Sequence, residues 1–236
     1  MVGFMQIPEW FGDALVEGEQ YLVGGGDESS MLIREASAQV STYSARLKRD
    51  FSQFNFLDSP EINEYVKILL GDTSLEFSLP TIYIGAGIVA PNSTRPLVEA
   101  YDFGNMPAQG TMWYVGARSF MPTECDWARH TQRLLPGFEV DIDTALRTAL
   151  ADLDGQAYRL MINLDILDPA WANAVKRPVG LGITPLELFK ALQIIEGTPV
   201  ELLQICGLDH RHNSPHDTAR LGAEIARDAA LLAWGN

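Results

Sequence analysis

The sequence predicts a single α/β domain, residues 1–236, built on a central, mostly parallel sheet with helices on both faces. Two observations predict it. Short apolar runs of strand length alternate with segments of helical period along the whole chain. One of those runs, Tyr158-Arg159-Leu160-Met161-Ile162, leads into Asn163-Leu164-Asp165-Ile166-Leu167-Asp168-Pro169. A buried strand that ends on acidic residues is how an open α/β sheet usually brings polar groups to its carboxyl edge. With 236 residues, 47% hydrophobic and 20% charged, the chain can bury a core around one such sheet.

Taken in order, Tyr21-Leu22-Val23 followed by three glycines reads as a strand entering a turn. Residues 31–47 carry Met31, Ile33, Ala36, Val40 and Leu47 on roughly one side and predict a helix. Residues 62–70, ending at Gly71, read as a second short helix. Strands are predicted at 80–85, more weakly at 96–101, and at 111–116. Helices are predicted at 123–134 and 141–153, the latter capped by Asp141 or Asp143. After the Asp165 strand, Thr184 caps a helix with Pro185 at its first position and Glu187 at its third. Gly197-Thr198-Pro199 breaks the chain before a strand at 202–206. Leu221, Ile225, Ala229 and Leu232 then mark a last helix over about 217–233.

The bulk numbers exclude several roles. A formal net charge of −14 repels a phosphate backbone, so nucleic acid is not expected as a partner. No apolar run approaches a membrane span, and the N-terminus lacks a basic region followed by an apolar stretch. Cys125 and Cys206 fit no metal or redox spacing and read as reduced thiols. A cytoplasmic protein without membrane or nucleic-acid contacts is expected.

Four segments resemble the arginase/agmatinase (ureohydrolase) family, and its agmatinase branch in particular. Ile33-Arg34-Glu35-Ala36 resembles a stretch near that family's N-terminus, and Gly116-Ala117-Arg118-Ser119 resembles its Gly-Ile-Arg-Ser strand end. Asn163-Leu164-Asp165-Ile166-Leu167-Asp168-Pro169 resembles the signature Ser-x-Asp-x-Asp-x-x-Asp-Pro, and 177–184 resemble the segment that follows it. The resemblance implies a three-layer αβα domain. It also implies a pair of manganese ions whose bridging hydroxide attacks a guanidinium-type carbon. Two ions are needed because water must be ionised near neutral pH against a poor electrophile. Trimers or hexamers are the assemblies the resemblance implies; a mixed assembly with an active paralogue stays open.

The chain departs from the family at its metal motifs. Where Gly-Gly-Asp-His-Ser is expected after the 81–84 strand, the residues are Gly85-Ala86-Gly87-Ile88-Val89, with Ile88 for the histidine. Of Asp-Ala-His-x-Asp, the nearest candidate at 102–106 keeps only Asp102. In the third motif Asn163 stands in the place of the first ligand aspartate, Asp165 retains the second, and Asp168 matches a supporting residue. The only histidines are His130, His210, His212 and His216, so none falls in the first half, where both family histidine ligands belong. A second glycine-rich run, 23–29, puts Glu28 in a histidine place, but that register leaves Ile33–Ala36 without a counterpart and is rejected.

Near the end of the chain, Asp209-His210-Arg211-His212 follows a strand. His212 takes the place of a glutamate that holds the guanidinium in the family, and an imidazole cannot supply that fixed negative charge. Read alone, Asp209, His210, His212 and His216 have donor types that suit zinc or nickel. His210, His212 and Arg118 are the candidate substrate- or ligand-contacting residues. The favoured expectation is a non-catalytic ureohydrolase-like protein that binds a small molecule or a partner chain without a resident cofactor. The alternative is a divergent hydrolase of a C–N bond in a non-guanidino substrate, using one divalent metal, manganese by resemblance, held by Asp165, Asp102 or the histidine cluster.

Overall fold

A computed structural model of the chain describes residues 22–24, 28–37, 40, 43–50, 66–70, 79–88 and 110–235. Its centre is a seven-stranded sheet of β1 (Leu22–Gly24), β4 (Val66–Leu70), β5 (Thr81–Ile84), β6 (Met112–Val115), β7 (Arg133–Leu135), β8 (Tyr158–Asn163) and β9 (Val200–Cys206). The spatial order is β1-β4-β9-β8-β5-β6-β7, and every neighbouring pair is parallel. All carboxyl ends therefore lie along one edge. The chain steps from β4 across two strand positions to β5, and β8 and β9 later fill the gap. That reversal of order is where an open sheet forms a crevice.

Alternation along each strand sorts the two faces. Ile82, Ile84, Trp113, Val115, Leu160, Ile162, Leu203 and Ile205 belong to one core, packed with α1 (Glu28–Ser37), α3 (Ile142–Leu153), α4 (Pro185–Leu192) and α5 (His216–Trp234). Tyr83, Met112, Tyr114, Met161 and Cys206 build the second, smaller core with Ala128 and Trp127 of α2 (Pro122–Thr131). This is the expected three-layer αβα arrangement. Both cysteines are free thiols, and no described helix is long and apolar enough to cross a membrane.

The helix ends follow the sequence. Asp141, not Asp143, caps α3, its side chain accepting from the Thr144 amide at 2.9 Å. Thr184 and Glu187 form a reciprocal capping box at α4, with Thr184 N donating to Glu187 Oε2 at 2.7 Å.

Three elements differ from expectation. Residues 66–70 form a strand, not the end of a helix. Val66-Lys67-Ile68-Leu69-Leu70 is a short run whose period is ambiguous, and pairing on both sides, with β1 and β9, decides it. The helix expected over 31–47 ends at Ser37. Beyond it, β2 (Tyr43–Ser44) and β3 (Arg49–Asp50) pair antiparallel around a turn with Lys48 at φ 56°. The helix expected over 123–134 stops at Thr131. Gln132 turns extended and accepts the Met112 amide through Oε1, and 133–135 become edge strand β7. The strand expected at 96–101 lies outside the described residues.

Leu160 sits mid-strand in β8, fully buried between β5 and β9. Replacing it by alanine should cost about 2–5 kcal/mol in urea unfolding. A loss below about 1 kcal/mol would show that the centre of the sheet relaxes around the gap.

Candidate functional site

The parallel sheet gathers Ile84-Gly85, Val115-Gly116, Asn163 and Cys206-Gly207 along its carboxyl edge. Asn163 is 3% exposed and ends β8. Its Oδ1 accepts from the Asp165 amide at 3.0 Å, which starts a single 3-10 turn over Leu164–Ile166. Its Nδ2 donates to the Tyr83 hydroxyl on β5 at 2.9 Å. Asp165, 2% exposed, turns its carboxylate towards the neighbouring strand end, where Oδ1 accepts the Ala86 amide at 2.8 Å. The same Ala86 offers its carbonyl to the amides of Arg118 and Ser119. The ends of β5, β6 and β8 are thereby stitched together by polar groups.

Arg118 lies just past β6 and works as a fork over the loop that follows β8. Its guanidinium donates to the carbonyls of Asp165, Ile166, Leu167, Val179 and Gly180, at 2.8–3.4 Å. Burial draws its pKa down, while Asp165 and Asp168 oppose the shift. Asp168 closes the loop from the other side. Its carboxylate accepts from the amides of Ala170 and Gly182, at 3.0 and 3.1 Å. The Ala170 amide first, then the amides of Gly182 and Leu181 and the Arg118 charge, hold its pKa below the usual carboxylate range, against a smaller opposing effect of burial. Leu167 and Ile183 add a parallel bridge. The result is a rigid loop on which Leu181 stands 95% exposed at φ 61°. Beside it lies a cleft of about 400 Å³ bounded by Gly116, Gly137, Ile142, Ile166, Leu181 and Lys190.

The histidines do not converge. His210 Nε2 meets Glu28 Oε2 at 2.6 Å, and its Nδ1 lies 3.3 Å from Ser29 Oγ, which donates to Leu208 O. This ties the loop after β9 to the start of α1. His212 instead accepts the Ser214 amide on Nδ1, and Asp209 accepts the Arg211 amide. His216 begins α5 and His130 caps its own helix turn through Asp126 O. Among the described residues no three His, Cys, Asp or Glu side chains gather as a metal cage. Asp102 lies outside the described residues.

The strand at Val66–Leu70 exposes a signal that the helical expectation hides. With a strand there, Gly71-Asp72-Thr73-Ser74 follows a sheet strand and matches Gly-Asp-His-Ser except for Thr73. Gly85-Ala86-Gly87-Ile88-Val89 then falls on Asp-Ala-His-x-Asp, keeping the alanine and placing Gly85, Gly87 and Val89 at the ligand positions. Residues 71–74 are outside the described ones, so this match is one of sequence. In both registers the histidine places hold other residues.

Two tests of the loop follow. Arg118→Ala should lower stability by about 2 kcal/mol in urea unfolding, because several partly buried carbonyls lose their donors. Arg118→Lys should recover little, since a point ammonium cannot span a fork of carbonyls; full recovery would mean that charge alone matters. Asp168 has a depressed folded-state pKa, so its contribution is present above the ordinary carboxylate pKa and is lost as pH falls through the folded value. The melting-temperature gap between the wild type and Asp168→Asn should therefore be present near neutrality and close below about pH 4. A gap unchanged by acid would remove the carboxylate from the account.

Comparison with known proteins bears on the family and the fold. The family model described as "Arginase family" matches residues 89–232, more than half of the chain. The agmatinase of Bacillus anthracis is 23% identical over 249 residues, covering 86% of this chain and 83% of its own. Two solved structures share the fold. The arginase from Bacillus cereus superposes at a TM-score of 0.69 with 17% identity, covering 93% of this chain and 99% of that one. The formimidoylglutamase from Bacillus subtilis subsp. subtilis str. 168 superposes at 0.70 with 16% identity, covering 92% and 88%. On the extent of the family match and the shared sheet, the chain belongs to the arginase family.

Proposed function

We propose that this chain is a non-catalytic member of its family, acting by binding a small ligand or a partner chain. The reading is carried by Asn163. In the place of the first ligand aspartate of the third motif stands a neutral amide with both polar atoms bonded to protein, Oδ1 to the Asp165 amide and Nδ2 to the Tyr83 hydroxyl. A hard divalent cation is held by charged oxygen or imidazole donors, and this group offers neither. Asp165 supports the reading too, since its carboxylate oxygen Oδ1 serves the Ala86 amide.

A pair of manganese ions does not fit this donor set. The family's histidine places carry Ile88 or Thr73 in the first motif and a glycine in the second. The family's chemistry depends on bound divalent ions to ionise water near neutral pH. His212, in the place of the family's guanidinium-holding glutamate, removes the charge that the substrates of active members require.

Protein purified without chelator and dialysed against manganese should carry well under one ion per chain. It should release no urea from agmatine or arginine. Two tightly held ions per chain would overturn the proposal. One ion that disappears in Asp165→Ala would favour a divergent one-metal hydrolase instead.

A further inference from the structure

The carboxyl edge at Asn163 is filled as well as poor in ligands, and the filling has a definite construction. Tyr83 is 1% exposed, and its ring reaches along β5 over the next residue on the same face. A Cβ on Gly85 would lie 2.5 Å from Tyr83 Cε1, 2.7 Å from Cζ and 2.8 Å from the hydroxyl oxygen. The ring therefore occupies the volume of a side chain at 85. It cannot simply swing aside. Tyr114 packs against it edge-on at 5.7 Å between centroids, and Trp127 packs against Tyr114 in turn at 6.4 Å. On the far side, Gly207 has φ 88°, and a Cβ there would fall 1.9 Å from Asn163 Oδ1. Residue 207 thus has to be a glycine while Asn163 keeps its present pose.

We propose that Tyr83, Gly85, Asn163 and Gly207 are one interdependent set that turns the place of the family's metal centre into a hydrogen-bonded interior, with Tyr83 as the residue that closes it. The inference rests on the preceding reading in placing that centre at Asn163, and on the register that sets 85–89 against Asp-Ala-His-x-Asp in placing a ligand carboxylate at 85; the coupling within the set rests on packing alone. The phenol hydroxyl gives the Asn163 amide its acceptor, and the ring fills the space that a carboxylate at 85 would need. Loss of ligands and gain of the plug are then a single exchange. Any small molecule this protein binds has to be held outside this spot.

A double-mutant cycle tests the coupling. Gly85→Ala should reduce the folding equilibrium constant by about tenfold or more in the wild-type background. The same change in a Tyr83→Ala background should cost less than about threefold, because the ring is gone. In Tyr83→Phe it should stay costly, because the clash is with ring carbons as well as the hydroxyl. Equal cost of Gly85→Ala in all three backgrounds would overturn the proposal. Manganese titration gives a second reading. N163D and G85D alone should take up no manganese. The combination Y83A/G85D/N163D, with three carboxylates and an opened space, should bind about one ion per chain. Uptake by N163D alone, or none by the folded triple variant, would overturn the role of Tyr83. Manganese in the wild type would count against the non-catalytic reading while leaving the packing cycle to be judged by itself.

Discussion

A parallel sheet delivers all its strands to one edge, and there the ladder stops serving the backbone. Amides and carbonyls that leave the sheet still have to be paired, because most of them are buried. In this protein the demand is met by the Asp165 carboxylate on the Ala86 amide and by the Arg118 fork on the carbonyls of the loop after β8. Asn163 adds its oxygen to the Asp165 amide. These bonds join the ends of β5, β6 and β8, and the position of every other group on the edge depends on them. Arg118 and Asp165 carry opposite charges near each other, but their strongest contacts here are with backbone.

That arrangement explains how the fold persists under the proposed reading. In a chain that relied on divalent ions to hold acidic side chains together, losing the ions would leave carboxylates in mutual repulsion. Here the edge is poorer in charge, and neutral groups fill it. Tyr83, Tyr114 and Trp127 run from the strand ends back into the second core, so the edge is continuous with the apolar interior. A cleft of about 400 Å³ lies beside Leu181 and Lys190.

Much of this was legible in the sequence. The central strand, the helix caps at Asp141 and Thr184, and the last helix have local signatures: an apolar run, a capping oxygen, a 3.6-residue period. The strand at Val66–Leu70 was not legible, since five residues do not distinguish a buried strand from a helix end, and its identity comes from β1 and β9 at distant sequence positions. The split of 123–134 into α2 and β7 likewise depends on Gln132 reaching Met112. At the site, the neutral residue at 163 and the missing early histidines could be read directly. The partner of that amide could not. Nothing in Thr81-Ile82-Tyr83-Ile84 marks its tyrosine as different from any other aromatic of a buried strand. The contact of His210 with Glu28 and Ser29 was not legible either, since it forms across most of the chain.

The ring over Gly85 also bears on descent. An acidic residue introduced at 85 would meet the tyrosine ring, and a smaller residue at 83 alone would leave a void with nothing to gain from it. Each first step back is unfavourable before the second is taken. Under the proposed reading, a lineage that has acquired this pair is held there as by a ratchet, and later selection acts on whatever surface the protein still presents.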